Sequence, residues 1–387
     1  MTVRPKPGHD VRNSERLIVI EVREVANRAA LAEFVDFPYR KYRNHPYWVP
    51  PLRMSERDRF NQKKSPFLEH ADMGLFLAVD NGTTVGRIAA IDDHTHNATH
   101  HDNLAAFGFF EADNDAAARA LFTAAEDWAR KKGRALMRGP LNPSLNDSAG
   151  LLIDGFDDAP FLLMPYNPPE YANYIERAGY AKVKDLYAWI YELALFNPKV
   201  AELADRVKKR HKIVVRPIDS KRMEEEIKYF LDIYAVAWKD NWGFVAPTEA
   251  EAAHFASELR QILDPEFALC CEVAGVRAGC IVAVPDMNQV LKGTDGKLFP
   301  LGLVRFLFRK RLIDQGRLLL LGVLPEYRGL GLLPLMVHEL GQRASNRNIR
   351  RVEFSWVLED NVDINQPAEQ GGARRYKTYR IYQKAIA

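Results

Sequence analysis

Residues Arg328-Gly329-Leu330-Gly331 stand between a strand-like apolar run, Leu318–Val323, and an amphipathic stretch that begins at Leu332. Two glycines at this spacing let the backbone turn so that successive N–H groups point into one concavity. A helix starting there turns its positive dipole end toward the same point. Arg328 adds a charged donor, so the segment is built to hold a diphosphate. If the preceding strand splays from its neighbour, free N–H groups around Leu321, Gly322 and Val323 can bind a thioester carbonyl or an amide. The bland alternative is a tight strand-to-helix turn that merely needs glycine.

The strand Arg351–Asn361 that follows the helix carries carboxylates at Glu353, Glu359 and Asp360. An amine with a pKa near ~10 must lose a proton before it attacks an acyl carbon, and a carboxylate reached through water can take it. Glu359 is the first choice as base because it ends the strand where a cleft should open. Tyr376 and Tyr379 are the nearest tyrosines for protonating a leaving group, although alternate aromatics in a strand also serve packing. Asn361 can bind an amide or cap the next helix. The polar connector 138–147, with Asn142 and Asn146, either lines an acceptor site or is a turn-rich link. The run Asp92–His101 holds His94, His96, His100 and His101 but no cysteine partner, and it reads as a polar surface loop rather than a metal site.

Four pairs of positions place these residues in a repeat. Val22 and Val215, Gly82 and Gly275, Gly86 and Gly279, and Gly179 and Gly372 are each 193 positions apart (215 − 22, 275 − 82, 279 − 86, 372 − 179). Each half reads as a strand (17–22; 213–218), a helix (28–42; 223–238), a Trp- and Pro-bearing loop, a hairpin, a strand and a second helix (114–132; 332–345), with a strand pair to close. The expected architecture is α/β with mixed sheets. It consists of a polar tail 1–16, a first unit 17–197, a charged linker 198–212 and a second unit 213–387. The second unit has an insertion after Val284, in which 298–313 combines ten large apolar residues with four cations and no acid. That segment reads as an interfacial helix or apolar lid, against the plainer reading of a helix packed on the core.

The loop, strand and helix together resemble the acetyl-CoA motif of the GNAT superfamily of N-acyltransferases, Gln/Arg-x-x-Gly-x-Gly/Ala. Here it reads Arg328-x-x-Gly331-x-Leu333, with leucine in place of the last small residue. The resemblance implies acyl-CoA as co-substrate, with Leu321 to Val323, Arg328 to Leu333 and Asn361 as its binding residues, and a primary amine as acceptor. The first half resembles a degenerate unit of the same kind. Its loop, 109–115, carries Glu111, Asp113 and Asp115 and no glycine, so it should repel a diphosphate. It retains the segment Tyr166–Tyr171. Asn142, Asn146, Asn167, Tyr171 and Trp242 are then candidate acceptor-site residues. The layout is also similar to that of bacterial ceramide synthases, which implies a long-chain lipid amine as acceptor; the composition of 298–313 itself points to cover for a long acyl chain or peripheral contact with anionic membrane lipid. A Fem-type transferase using aminoacyl-tRNA, or a non-catalytic CoA-binding protein, are the alternatives.

Composition agrees with an ordinary globular chain. Of 387 residues, 27% are charged and the net charge is +3, too balanced for a general electrostatic grip on nucleic acid. Three cysteines rule out a disulfide framework and are expected as buried thiols in a reducing cytoplasm. No secretory signal and no membrane-spanning run is visible.

Overall fold

The computed structural model describes residues 20–195, 198–210 and 212–387, so the expected tail 1–16 lies outside the described residues. The first half contributes strands β1 (Glu21–Glu24), β2 (Ala71–Asp80), β3 (Thr83–Asp93), β4 (Leu104–Ala112), β5 (Leu136–Gly139), β6 (Leu141–Asn142), β7 (Ser148–Ala149), β8 (Leu151–Asp154) and β9 (Ala181–Glu192). The second contributes β10 (Ile213–Pro217), β11 (Ala268–Val273), β12 (Val276–Pro285), β13 (Gln315–Val323), β14 (Arg351–Leu358) and β15 (Arg374–Ala385). One sheet runs β1-β2-β3-β4-β5-β15-β9-β14-β13-β12-β11-β10, with β8 pairing β15 beside this path.

This order is palindromic with respect to the repeat. The β2–β3 and β11–β12 hairpins occupy equivalent places, and their turns have the same geometry. Asn81 (φ 48°) and Gly82 (φ 78°) match Ala274 (φ 51°) and Gly275 (φ 83°), the two positive φ values that a type I′ turn demands. At the centre the halves exchange strands. β9 pairs with β14 of the second half, and β15 pairs with β5 of the first. Divisions at 17–197 and 213–387 therefore cut through a continuous sheet, because each half's last strand completes the other's.

Two segments have more structure than their sequence suggested. The charged stretch read as a linker is a helix, Pro198–Arg210, packed on the helix Leu332–Asn346 through buried Ala204 and Val207. Among the described side chains Glu202, Asp205, Arg206 and Lys208 are exposed, with Lys208 paired to Glu339. The histidine run is a short helix, His94–His100, capped by Asp93, with His96 buried against Asp102 (3.3 Å). Asp72, Asp92 and His94 lie close enough to share a cation. Lys132 (2.8 Å to Asp72) and Arg134 (2.9 and 3.1 Å to Asp92) already supply that positive charge. All three cysteines are free and buried. Among the described residues no helix is long and apolar enough to cross a membrane.

Candidate functional site

β13 and β14 run parallel only from Gln315↔Arg351 to Leu318↔Phe354. Beyond this point they part. β13 bulges against β12 at Val282/Ala283, and β14 shifts register against β9 between Phe354 and Val357. From Leu319 to Val323 the edge of β13 that faces β14 has no strand partner, and a cleft opens on each side of the gap.

The first cleft, about 880 Å³, is lined by Leu321, Gly322 and Val323 of β13, Arg328, Gly329, Gly331, Leu332 and Leu333 of the loop and helix start, and Asn361 after β14. Gly329 (φ 81°) and Gly331 (φ 79°) both adopt the left-handed conformation the turn needs. A side chain on Gly329 would meet open space, whereas one on Gly331 would strike Val207 of the connecting helix. The helix Leu332–Asn346 has no acid in its first turn. Among the described residues none accepts from the N–H groups of Gly329, Leu330 or Gly331. Open amides at a helix N-terminus, with exposed Arg328 beside them, fit a diphosphate. Asn361 makes no capping bond with its side chain, so its amide remains available to the cleft. Leu330 instead packs on the apolar core. The connecting helix adds Lys199, Val200 and Leu203 to the wall, a contribution hidden in what reads as a linker.

The corresponding corner of the first half is filled by its own side chains. Tyr42 (2.6 Å) and Tyr171 (2.7 Å) donate to the buried carboxylate of Glu111, and the Tyr171 hydroxyl accepts from Ala112 N–H (2.9 Å). Asn114 caps the following helix, whose first turn carries Asp115. Asn142 accepts from Phe109 N–H (2.6 Å), and a side chain on Gly108 would strike the carbonyl of Leu141. The first-half opening is therefore plugged by the 140–149 connector. Tyr171→Phe should lower stability by about 1–3 kcal/mol, through the unsatisfied Glu111 and Ala112 groups, while leaving the first cleft's ligand affinity unchanged. Thermal unfolding and a binding titration check both halves of that expectation.

The second cleft, about 490 Å³, lies between the halves. One part of its wall is apolar: Leu145, Phe67, and Ile227, Phe230 and Leu231 of the helix Met223–Trp238, with Phe255 and Leu259 of the helix Glu249–Ile262. Polar and charged side chains make up much of the rest, among them Asp58, Arg59, Lys64, Asp147, Glu251 and Glu258. Asp147 accepts from Ser144 Oγ (2.7 Å) and stands 3.9 Å from Arg59. Burial pushes the Asp147 carboxyl upward against the pull of Arg59, and Glu251 and Glu258 add to the rise. At the gap itself, Trp238 and Trp356 line both clefts, with ring centroids 5.9 Å apart.

Arg317 and Ser355 line the second cleft next to Trp356. Arg317 Nε donates to Ser355 Oγ (3.0 Å), and Ser355 Oγ donates to Glu353, which also accepts from the Tyr376 hydroxyl. Glu353 is fully buried, and burial raises its pKa while Arg317, Ser355 and Tyr376 pull it back in part. The arrangement links a buried carboxylate to the cleft through one hydroxyl, a short route for a proton.

Several sequence expectations lie elsewhere. Glu359 lines neither cleft; it is paired with Lys182 (2.6 Å) and accepts from Asp185 N–H (3.0 Å), both on β9. Tyr376 is committed to Glu353 and Tyr379 is fully buried, so neither faces the gap. Asn167 is consumed by the main chain of Leu152 and Pro168. Trp242 stacks beneath Arg138 and Lys184. Asn146 alone of the five acceptor candidates lines the second cleft, where Tyr234 donates to it (3.0 Å).

No protein-family model matches the chain. A bacterial ceramide synthase of Caulobacter vibrioides is 37% identical to it over 378 residues, spanning 95% of this chain and 98% of that protein. Protein YghO of Escherichia coli is 34% identical over 374 residues, 94% of this chain and 95% of its own length. Among solved structures, a tandem GNAT protein from the clavulanic acid biosynthesis pathway superposes with a TM-score of 0.57 at 15% identity, covering 95% of this chain and 99% of that one. A GCN5-related N-acetyltransferase from Sphaerobacter thermophilus gives 0.53 at 13% identity, covering 95% and 96%. At these identities the structural matches speak for the fold.

Proposed function

The chain belongs to the tandem GNAT acyltransferases, a family that includes the bacterial ceramide synthase of Caulobacter vibrioides, and from that premise we propose that it transfers an acyl group from acyl-CoA to the primary amine of a long-chain lipid. The observation that carries this reading is the meeting, at the gap between β13 and β14, of a diphosphate-fitting cleft and a second cleft with an apolar wall and carboxylates that suit an ammonium group.

In this reading, Arg328 and the N–H groups from Gly329 to Leu332 hold the diphosphate, and Asn361 bonds the pantetheine arm. The lipid amine enters the second cleft as its ammonium form, with Asp147 as counter-charge. Ser355 takes a proton from the amine and passes its own to Glu353. The neutral amine attacks the thioester carbon; the C–N bond forms, the C–S bond breaks, and the thiolate takes up one of the nitrogen's two protons while the amide keeps the other. The free, buried cysteines support a reducing, cytoplasmic setting.

Thiol release and mass detection of the amide, with acyl-CoA and either a sphingoid base or a short polyamine, test the substrate class. The proposal expects turnover with the long-chain base; preference for the polyamine would refute the lipid acceptor. Asp147→Asn should raise KM for the amine about ten- to a hundredfold, the range for losing a hydrogen bond to a charged group, with KM for acyl-CoA unchanged.

A further inference from the structure

Segment 297–312 inverts the usual arrangement of a surface helix. Arg305 turns inward, its guanidinium donating to the carbonyls of Val290 (2.8 Å) and Gln289 (2.9 Å), while Phe306 packs on the core. The large apolar residues point outward instead: Phe299 is 78% exposed, Leu307 69%, and Leu301, Val304 and Phe308 about half. Polar side chains normally cover such a surface. Exposed Lys297, 3.8 Å from Asp295, and exposed Arg311 flank the face, and no Asp or Glu occurs between Gly296 and Ile313. Exposed apolar side chains flanked by two cations match the two layers of an anionic leaflet, acyl chains within and phosphates above.

The face is fastened to the second cleft. Arg53 donates to the backbone and side chain of Asp295 (2.9 Å each), and its own N–H bonds the carbonyl of Gly296 (3.0 Å). Arg53 opens the short helix Arg53–Asp58, whose Ser55 and Asp58 line the cleft and whose Met54 is 68% exposed.

We propose that residues 297–312, with Met54, form a docking face for anionic phospholipid bilayers that sets the wall of the second cleft against the membrane supplying its amine. The choice of a bilayer follows from the exposed apolar side chains, the cations Lys297 and Arg311 beside them and the lack of acids within the segment; the link to amine delivery rests on the lipid-acceptor reading, while docking itself does not. Flotation of the full chain with equimolar phosphatidylglycerol–phosphatidylcholine vesicles, and with phosphatidylcholine alone, tests it. Wild type should float with the anionic vesicles, and Phe299→Asp/Leu307→Asp should lose partition more than about tenfold. Turnover of the double variant on a micelle-free, short-chain amine should match wild type. Equal partition of the two proteins, or no flotation of wild type, would overturn the proposal. So would a shift from dimer to monomer on sedimentation of the variant without change in flotation, since a second copy would then cover the face. Flotation without acyl transfer leaves docking standing and removes the acyltransferase reading; transfer without flotation does the reverse.

Discussion

Gly329→Asp should weaken acyl-CoA binding by about a hundredfold, close to 2.7 kcal/mol, with little change in fold. The position tolerates atoms, since a Cβ there meets nothing within 4 Å. Its left-handed φ costs an L-residue about 1–2 kcal/mol, and aspartate bears this better than most. A carboxylate would stand among the open amides and beside Arg328, where it would compete for their hydrogen bonds and repel the diphosphate. Gly329→Asn separates charge from backbone effects: the shapes match and asparagine also accepts this conformation. The asparagine variant should bind at least about tenfold more tightly than the aspartate variant. Equal affinities by calorimetric titration would mean that the diphosphate lies elsewhere. In the first half the corresponding helix start carries Asp113 and Asp115, while Glu111, which the sequence placed in the same loop, is buried in β4.

Ser355→Ala should lower kcat about a hundredfold or more, the usual contribution of a general base, with KM for either substrate nearly unchanged. The substitution removes the hydroxyl between the cleft and Glu353. Glu353→Gln should lower kcat similarly, and the double variant should fall no further than the worse single one, because the two side chains act as one relay. Burial raises the Glu353 carboxyl above its ordinary value near ~4.3. As the base must be ionised, kcat should rise with pH through that raised pKa and lose activity below it; Glu353→Gln should abolish this acid limb. Glu353→Gln also leaves the buried Arg317 charge with a neutral neighbour, at a cost of up to about 3–5 kcal/mol, so its melting temperature is measured alongside. Ser355→Ala carries no such charge and is the cleaner probe. Additive losses in the double variant would contradict the relay.

The parts of this site that were legible in the sequence are the local ones. A type I′ turn at Asn81-Gly82, and a glycine pair between an apolar strand and an amphipathic helix, each involve a few consecutive residues whose backbone demands are visible in their types. The duplicated order was legible for the same reason, since it repeats such signals. Strand exchange was not. Whether β14 neighbours β15 or β9 depends on pairing between residues well over a hundred positions apart, which no local pattern records. That pairing decides the fate of the carboxylates. Glu359 is captured by Lys182 and Asp185 of the exchanged β9, while Glu353, on the same strand, is turned toward Ser355 and Tyr376. Asp147 gave a weaker signal: it belonged to a polar connector between apolar strands, but its place in the second cleft depends on helices from the other half closing over it. The connecting helix escaped notice because its charged face resembles a solvated linker, and only buried Ala204 and Val207 betray the packed side.

A crystal structure with a non-hydrolysable thioether analogue of long-chain acyl-CoA tests the central claim most directly. The account predicts diphosphate oxygens within hydrogen-bond distance of the Gly329 and Gly331 N–H groups, and the sulfur at the gap between β13 and β14 beside Trp356. A diphosphate bound at any other surface, or a sulfur remote from that gap, would contradict it.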